Sequence, residues 1–134
     1  MELKNRTVEL DLRARQLWLL IGWTLVFCVV YLSVAPVSIE TGVEQGDKLV
    51  HAFAYGVLMV WFANLYERLA WRRAFAVAFV AMGAALEFVQ GWTGYRIFDV
   101  ADAVANASGV AAGWVLAPPR LPNFLRGIER FFRS

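Results

Sequence analysis

Three short groups of polar residues interrupt an otherwise apolar chain: Asp47, Lys48, His51 and Tyr55; Glu87 and Gln90; and Arg96, Asp99, Asp102 and Asn106. Their types suit acid–base chemistry. His51 is the only histidine, and an imidazole titrates near neutrality. Carboxylates gathered in one site raise one another's pKa into the range of a working general acid or base. Glu87, Asp99 and Asp102 with His51 also make an oxygen-rich donor set, better suited to a divalent cation such as Mg²⁺, Ca²⁺ or Mn²⁺ than to Zn²⁺. Lys48 and Arg96 supply positive charge of the kind that grips an anionic head group. The four carboxylates Asp47, Glu87, Asp99 and Asp102 outnumber those two cations. A negative surplus in a low-dielectric site asks for a protonated carboxyl, a charged His51, a metal ion or a cationic ligand.

The elements that must carry these residues follow from composition. Of 134 residues, 60% are hydrophobic and 18% charged, with a mean hydropathy of +0.52. That excludes a soluble globule with an aqueous surface and an intrinsically disordered chain. A formal net charge of +2 gives no nucleic-acid signal. Four apolar blocks run from about Gln16 to Ala35, Lys48 to Tyr66, Trp71 to Gln90 and Phe98 to Ala117, each near the roughly 20 residues that cross a bilayer core as a helix. The expected fold is all-α, a four-transmembrane-helix bundle forming a single domain over 1–134. Residues 1–16 carry both signs of charge and no small-residue cleavage pattern, so the first block is expected to be retained as a span. Cys28 reads as a small hydrophobe filling a helix-packing site.

Basic residues set the expected orientation. Lys4, Arg6, Arg13 and Arg15 precede the first block, Arg68, Arg72 and Arg73 separate the second from the third, and Arg120, Arg126, Arg130 and Arg133 follow the fourth. The other two connections hold only Lys48 and Arg96. The positive-inside rule then places both termini in the cytoplasm. In the tail 121–134, Phe124, Ile128 and Phe131 share one helical face and Arg126, Arg130 and Arg133 recur beside it, the pattern of a helix lying in the interface. Trp92, Tyr95 and Phe98 belong to an aromatic belt at the opposite face.

Helical spacing aligns the polar groups. Asp99, Asp102, Asn106, Gly109 and Gly113 step by three and four and so form one stripe, whose polar half reaches about 10 Å along the helix. Gly109 and Gly113 are expected to be helix-packing positions of the small-xxx-small kind. His51 and Tyr55 are an i, i+4 pair, and Gly83, Glu87 and Gln90 repeat the stepping. Three helices thus carry polar stripes toward the extracytoplasmic face, expected to meet around a cleft. Polar glue between short helices explains individual residues equally well, whereas the unbalanced charge of the whole set favours a site.

The string Asp47-Lys48-x-x-His51-x-x-x-Tyr55, followed by Glu87-x-x-Gln90, Arg96 and Asp99-x-x-Asp102-x-x-x-Asn106-x-x-Gly109-x-x-x-Gly113, resembles the two motifs of VanZ-like membrane proteins over about residues 17–117. The resemblance implies a small multi-pass protein of the bacterial inner membrane, with no established reaction. The family takes its name from a member linked to resistance to teicoplanin, a lipid-tailed glycopeptide, so resistance and an envelope housekeeping role both stay open. Two functions follow as expectations. One is an enzyme acting on a lipid or lipid-linked substrate, with His51 or Glu87 as base or acid, Asp99 and Asp102 as metal ligands or an acid–base pair, and Lys48 and Arg96 on a phosphate. Asp47, Tyr55, Gln90 and Asn106 complete its binding surface. The other is a binding module that sequesters an amphiphile without turnover. A transporter is disfavoured, because no charged residue lies deep in the cytoplasmic half to make a relay.

Overall fold

The computed structural model describes residues 14–36, 42, 46–94 and 96–134. Lys4, Arg6, Arg13 and Tyr95, which entered the charge and aromatic patterns above, lie outside the described residues. Five helices follow one another: α1 (Arg15–Val34), α2 (Gly46–Leu65), α3 (Leu69–Thr93), α4 (Val100–Leu116) and α5 (Phe124–Phe131). There is no strand among the described residues. Three of the helices, α1, α2 and α3, are long and apolar enough to cross a membrane, and α4 is a shorter apolar helix of 17 residues. At 1.5 Å per residue α4 is about 25 Å long.

Local chemistry sets the boundaries. α1 stops where Ala35 turns extended ahead of Pro36, the conformation a following proline imposes. Gly94 closes α3 in the left-handed region at φ 74°, where a residue without Cβ is favoured. Asp99 caps α4, its Oδ1 accepting from the Ala101 N–H at 2.8 Å. Asn123 does the same for α5 through the Arg126 N–H at 3.1 Å. Both are N-cap residues of the favoured types.

The helices alternate in direction. Lys48 meets Asp99 and Asp102, while Ala52 and Gly56 lie against Gly109 and Gly113, so α2 and α4 run parallel, side by side. α3 runs against both, with Gly83 beside Asn106. α1 is antiparallel to α2, since Trp18 accepts from Trp61 Nε1 at 3.0 Å while Ser33 sits at the far end near Gln90. The core forms around Phe62, whose ring lies 4.6 Å from Phe75, 5.3 Å from Trp23 and 5.5 Å from Phe79. Tyr55, Leu58 and Met59 extend it along α2. α1 contributes little: Gly22 is its one fully buried residue, and Leu20, Phe27 and Tyr31 face outward. A helix apolar on its exposed side as well as its packed side needs an apolar surrounding. Cys28 is exposed on α1, so it faces outward instead of filling the packing site expected of it.

One end of the bundle gathers the arginines. Arg72 ties three carbonyls together there, donating to Tyr66 O and Ala63 O, each at 3.0 Å, and to Pro118 O. It closes the C-terminal ends of α2 and α4, whose last carbonyls have no partner within the helix. α5 packs across the same end through Leu125, which is fully buried with Leu65 among Trp18, Leu19 and Trp61. Glu129 accepts from Trp18 Nε1 at 2.8 Å and from the Ala14 N–H at 3.2 Å, and Arg126 pairs with Glu67 at 3.0 Å. The packed face therefore centres on Leu125 and Phe124, with Ile128 and Phe131 left exposed. Ile128 and Phe131, on the apolar face expected of an interfacial helix, are thus left outside the packed core, while Leu125 and the Glu129 contact to α1 anchor α5 to the bundle.

Candidate functional site

The polar residues converge at the end opposite the arginines. Lys48 Nζ lies 2.9 Å from Asp99 Oδ2 and 2.9 Å from Asp102 Oδ1, joining α2 to the start of α4. Asp47 is at the rim, 4.0 Å from the same ammonium. The aligned carboxylates of α4 thus share a counter-charge, which spacing alone did not reveal. A lysine that donates to two carboxylates is also committed, and the pairing of Lys48 with Arg96 on an incoming phosphate is not what the geometry presents. Among the described residues no group of three or more His, Cys, Asp or Glu side chains is placed to hold a metal ion.

One layer inward, His51 Nδ1 is 3.1 Å from Asn106 Oδ1. The two side chains share a hydrogen bond that joins α2 to α4 and fixes the orientation of the imidazole ring. Asn106 is held in place by close packing on Gly83, where a Cβ would come within 3.0 Å of it. Glu87, from α3, accepts the Asp99 N–H at 2.8 Å through Oε1. Gln90, one turn on, donates to Ser33 O at 2.7 Å and ties α3 to the end of α1. Ser33 was not a candidate from its type. The signal was positional: a helix ending before a proline exposes its last carbonyls.

A cavity of about 90 Å³ opens between α1 and α2, lined by Val29, Leu32, Ser33, Val50, His51, Ala54, Tyr55 and Arg96. Its wall is apolar on the α1 side and polar where His51, Tyr55 and Arg96 meet. Two buried atoms in this region have no hydrogen-bond partner, Tyr55 Oη and Glu87 Oε2, in residues only 1% and 2% exposed. Leaving a buried polar group unmatched costs about 1–3 kcal/mol, more for a charged one. Asp47, Lys48, Asp99 and Asp102 form an ion-pair cluster at this end of the bundle; His51, Tyr55 and Arg96 line the pocket, with Glu87 and Asn106 behind it on α3 and α4. Gly109 and Gly113 lie farther down the α2–α4 seam.

An all-helical bundle with three span-like helices and polar residues converging at one end defines a class of small membrane-helix proteins. The VanZ/LLP1 family matches residues 7–125, and the chain belongs to it. It is also 35% identical over 89 residues to an uncharacterized protein of fission yeast, Schizosaccharomyces pombe, covering 64% of this chain and 53% of that protein. The chain therefore spans about half the length of that relative. Similarity of this kind extends outside bacteria, beyond the bacterial setting that the motif resemblance implied. No solved structure matches the chain.

Proposed function

We propose that the chain is a single membrane-embedded unit that crosses the bilayer four times. Its arginine-rich end is cytoplasmic, and the pocket between α1 and α2 receives the polar head of a lipid or lipid-linked molecule at the opposite face. The alternating helix directions support four crossings, with α4 accommodated by local thinning of the bilayer. The orientation rests on Arg15, Arg68, Arg72, Arg73, Arg120, Arg126, Arg130 and Arg133 at one end against Lys48 and Arg96 at the other. With Thr93→Cys and Arg130→Cys made separately in a Cys28→Ala background, an impermeant thiol reagent is expected to label position 93 and not position 130 in intact cells. Labelling at 130 from outside overturns the orientation.

The pocket beside α1 that His51, Tyr55 and Arg96 line carries the functional reading. Arg96 faces an anionic head, His51 serves as general base or acid, and Glu87 acts from behind the pocket wall, holding the start of α4 through the Asp99 N–H. Asp99, Asp102 and Lys48 position α4, and Asn106 and Gln90 hold the His51 ring and the end of α1. A relative in yeast favours a chemistry shared by many membranes over one restricted to glycopeptides. A lipid-tailed glycopeptide would nonetheless present a head and tail to the same pocket. Purified wild type and His51→Gln, in matched bilayers containing anionic lipid with divalent cations present, separate turnover from binding. The expected result is altered lipid from wild type only, detected by mass spectrometry, with head-group affinity of the variant within a few-fold. Chemically unchanged material from wild type across lipid classes leaves a binding module that sequesters its ligand.

A further inference from the structure

The arginine-rich end of the bundle carries a second cavity, of about 250 Å³, where α2 and α4 end and α3 begins. Arg72 and Arg120 supply its charge, and no carboxylate lines it. Arg120 is exposed and has no side-chain hydrogen bond or ion pair among the described residues. Arg72 gives one N–H from each of its three nitrogens to a carbonyl. A guanidinium has five, so two remain, and carbonyl oxygens leave the cation without a paired anion. Among the described residues, the carboxylates of this end are engaged elsewhere: Glu67 pairs with Arg126 and Glu129 with Arg133. Two arginines without a carboxylate partner, facing one cavity, call for an anion.

Depth and lining point to the source of that anion. α2 ends at Leu65, α3 begins at Leu69 and α4 ends at Leu116, so the cavity sits at the border of the apolar layer, where lipid phosphates lie. The rest of its wall is apolar. Leu69 and Trp114 belong to it, and Leu69 is half exposed, which opens the cavity sideways to acyl chains. A free anion would use the arginines and leave that wall bare. Basic pockets between helix ends suit acidic lipid head groups.

We infer that this cavity binds the phosphate of an anionic phospholipid from the leaflet at the arginine-rich end. Arg120 and Arg72 hold the phosphate oxygens, and Leu69 and Trp114 meet the acyl chains where they leave. The site is separate from the pocket beside α1 and does not depend on the function proposed for that pocket.

The experiment offers short-chain phosphatidylglycerol, phosphatidylcholine or inorganic phosphate to the delipidated full chain in neutral detergent, read by native mass spectrometry and thermal shift. Phosphatidylglycerol is expected to bind wild type and raise its melting temperature. Arg120→Gln should weaken that binding about tenfold or more, the worth of a hydrogen bond between charged groups, and should melt as wild type without lipid. A variant that melts well below wild type without lipid has lost a structural contact, which overturns the assignment of Arg120 to the ligand. Arg130→Gln removes an exposed arginine of the same end that does not line the cavity, and should bind as wild type. A loss equal to that of Arg120→Gln would mean diffuse attraction to a basic surface and would overturn the site. Equal affinity for phosphatidylcholine overturns selection of an anionic head. Inorganic phosphate is expected to leave the lipid bound; if it displaces the lipid and protects equally well, the ligand is a free anion. Arg96→Gln separates the two ends of the bundle and should leave this binding in place. If it abolishes phosphatidylglycerol binding while Arg120→Gln changes nothing, the lipid sits only beside α1 and the second site is wrong.

Discussion

Gly109→Val is expected to leave almost no folded protein. A Cβ at Gly109 would collide with the main-chain carbonyl of Ala52, and one at Gly113 would meet the Gly56 main chain and come within 2.8 Å of Met59 Cβ. The obstruction at Gly109 is backbone, with no flexible side-chain end that could swing aside. α4 would have to move away from α2 along the whole seam, taking Asp99 and Asp102 off Lys48 and Asn106 off His51. Packing lost in this way has no hydrophobic substitute within a bilayer, where lipid is as apolar as the helix it would replace. Size-exclusion chromatography of a fluorescent fusion should show aggregate where wild type gives one symmetric peak. Gly113→Val should behave in the same way. Gly127→Ala is the control, because nothing lies within 4 Å of a Cβ there. It should hold the wild-type profile or gain up to about 1 kcal/mol from improved helix propensity. A monodisperse Gly109→Val peak with wild-type thermal stability would falsify the close approach of α2 and α4.

The seam also shows what spacing can encode. Asp99, Asp102, Asn106, Gly109 and Gly113 share a side of any α-helix, and their assignment to a polar upper half and a packing lower half needed only the 3.6-residue period. The ends of α1 and α4 were legible in Pro36 and Pro118, which follow the first and fourth apolar blocks, whereas α3 runs past the expected end at Gln90 to Thr93, where Gly94 closes it. Convergence of the polar residues at one end followed from the order of the apolar blocks. Pairing did not follow. Whether Lys48 reaches a phosphate or two carboxylates depends on the rotation of α2 against α4 and on a flexible four-carbon stem, neither of which leaves a trace in residue order. α1's share in the pocket was hidden as well, because Val29, Leu32 and Ser33 look like any other part of an apolar span. The choice of Leu125 as the buried anchor of α5 depends on Glu129 meeting Trp18, a contact across 111 positions of the chain.

Lys48→Met should lower the melting temperature clearly, though less than Gly109→Val, for an electrostatic reason. Asp99 and Asp102 each place an oxygen 2.9 Å from the Lys48 ammonium, and the Asp102 side chain is only 10% exposed. Without the ammonium, two carboxylates converge without their shared counter-charge, Asp102 largely buried and Asp99 about half exposed, so the buried one bears most of the cost. The methionine fills the space of the stem and restores none of the charge. Removing the repulsion should restore the fold. In Lys48→Met with Asp99→Asn and Asp102→Asn the cluster is neutral, and asparagine at 99 keeps a side-chain oxygen to cap the Ala101 N–H. Folded yield and melting temperature of the triple variant are expected to return most of the way to wild type. No recovery would mean that charge compensation is not what Lys48 contributes. The recovered variant then decides where the ligand sits. If Lys48 only positions α4, the triple variant should retain wild-type affinity for anionic lipid, because His51, Tyr55 and Arg96 around the pocket are untouched. Folded protein that has lost that affinity would instead put Lys48 beside Arg96 on the head group, and the ion-pair cluster would be part of the binding surface.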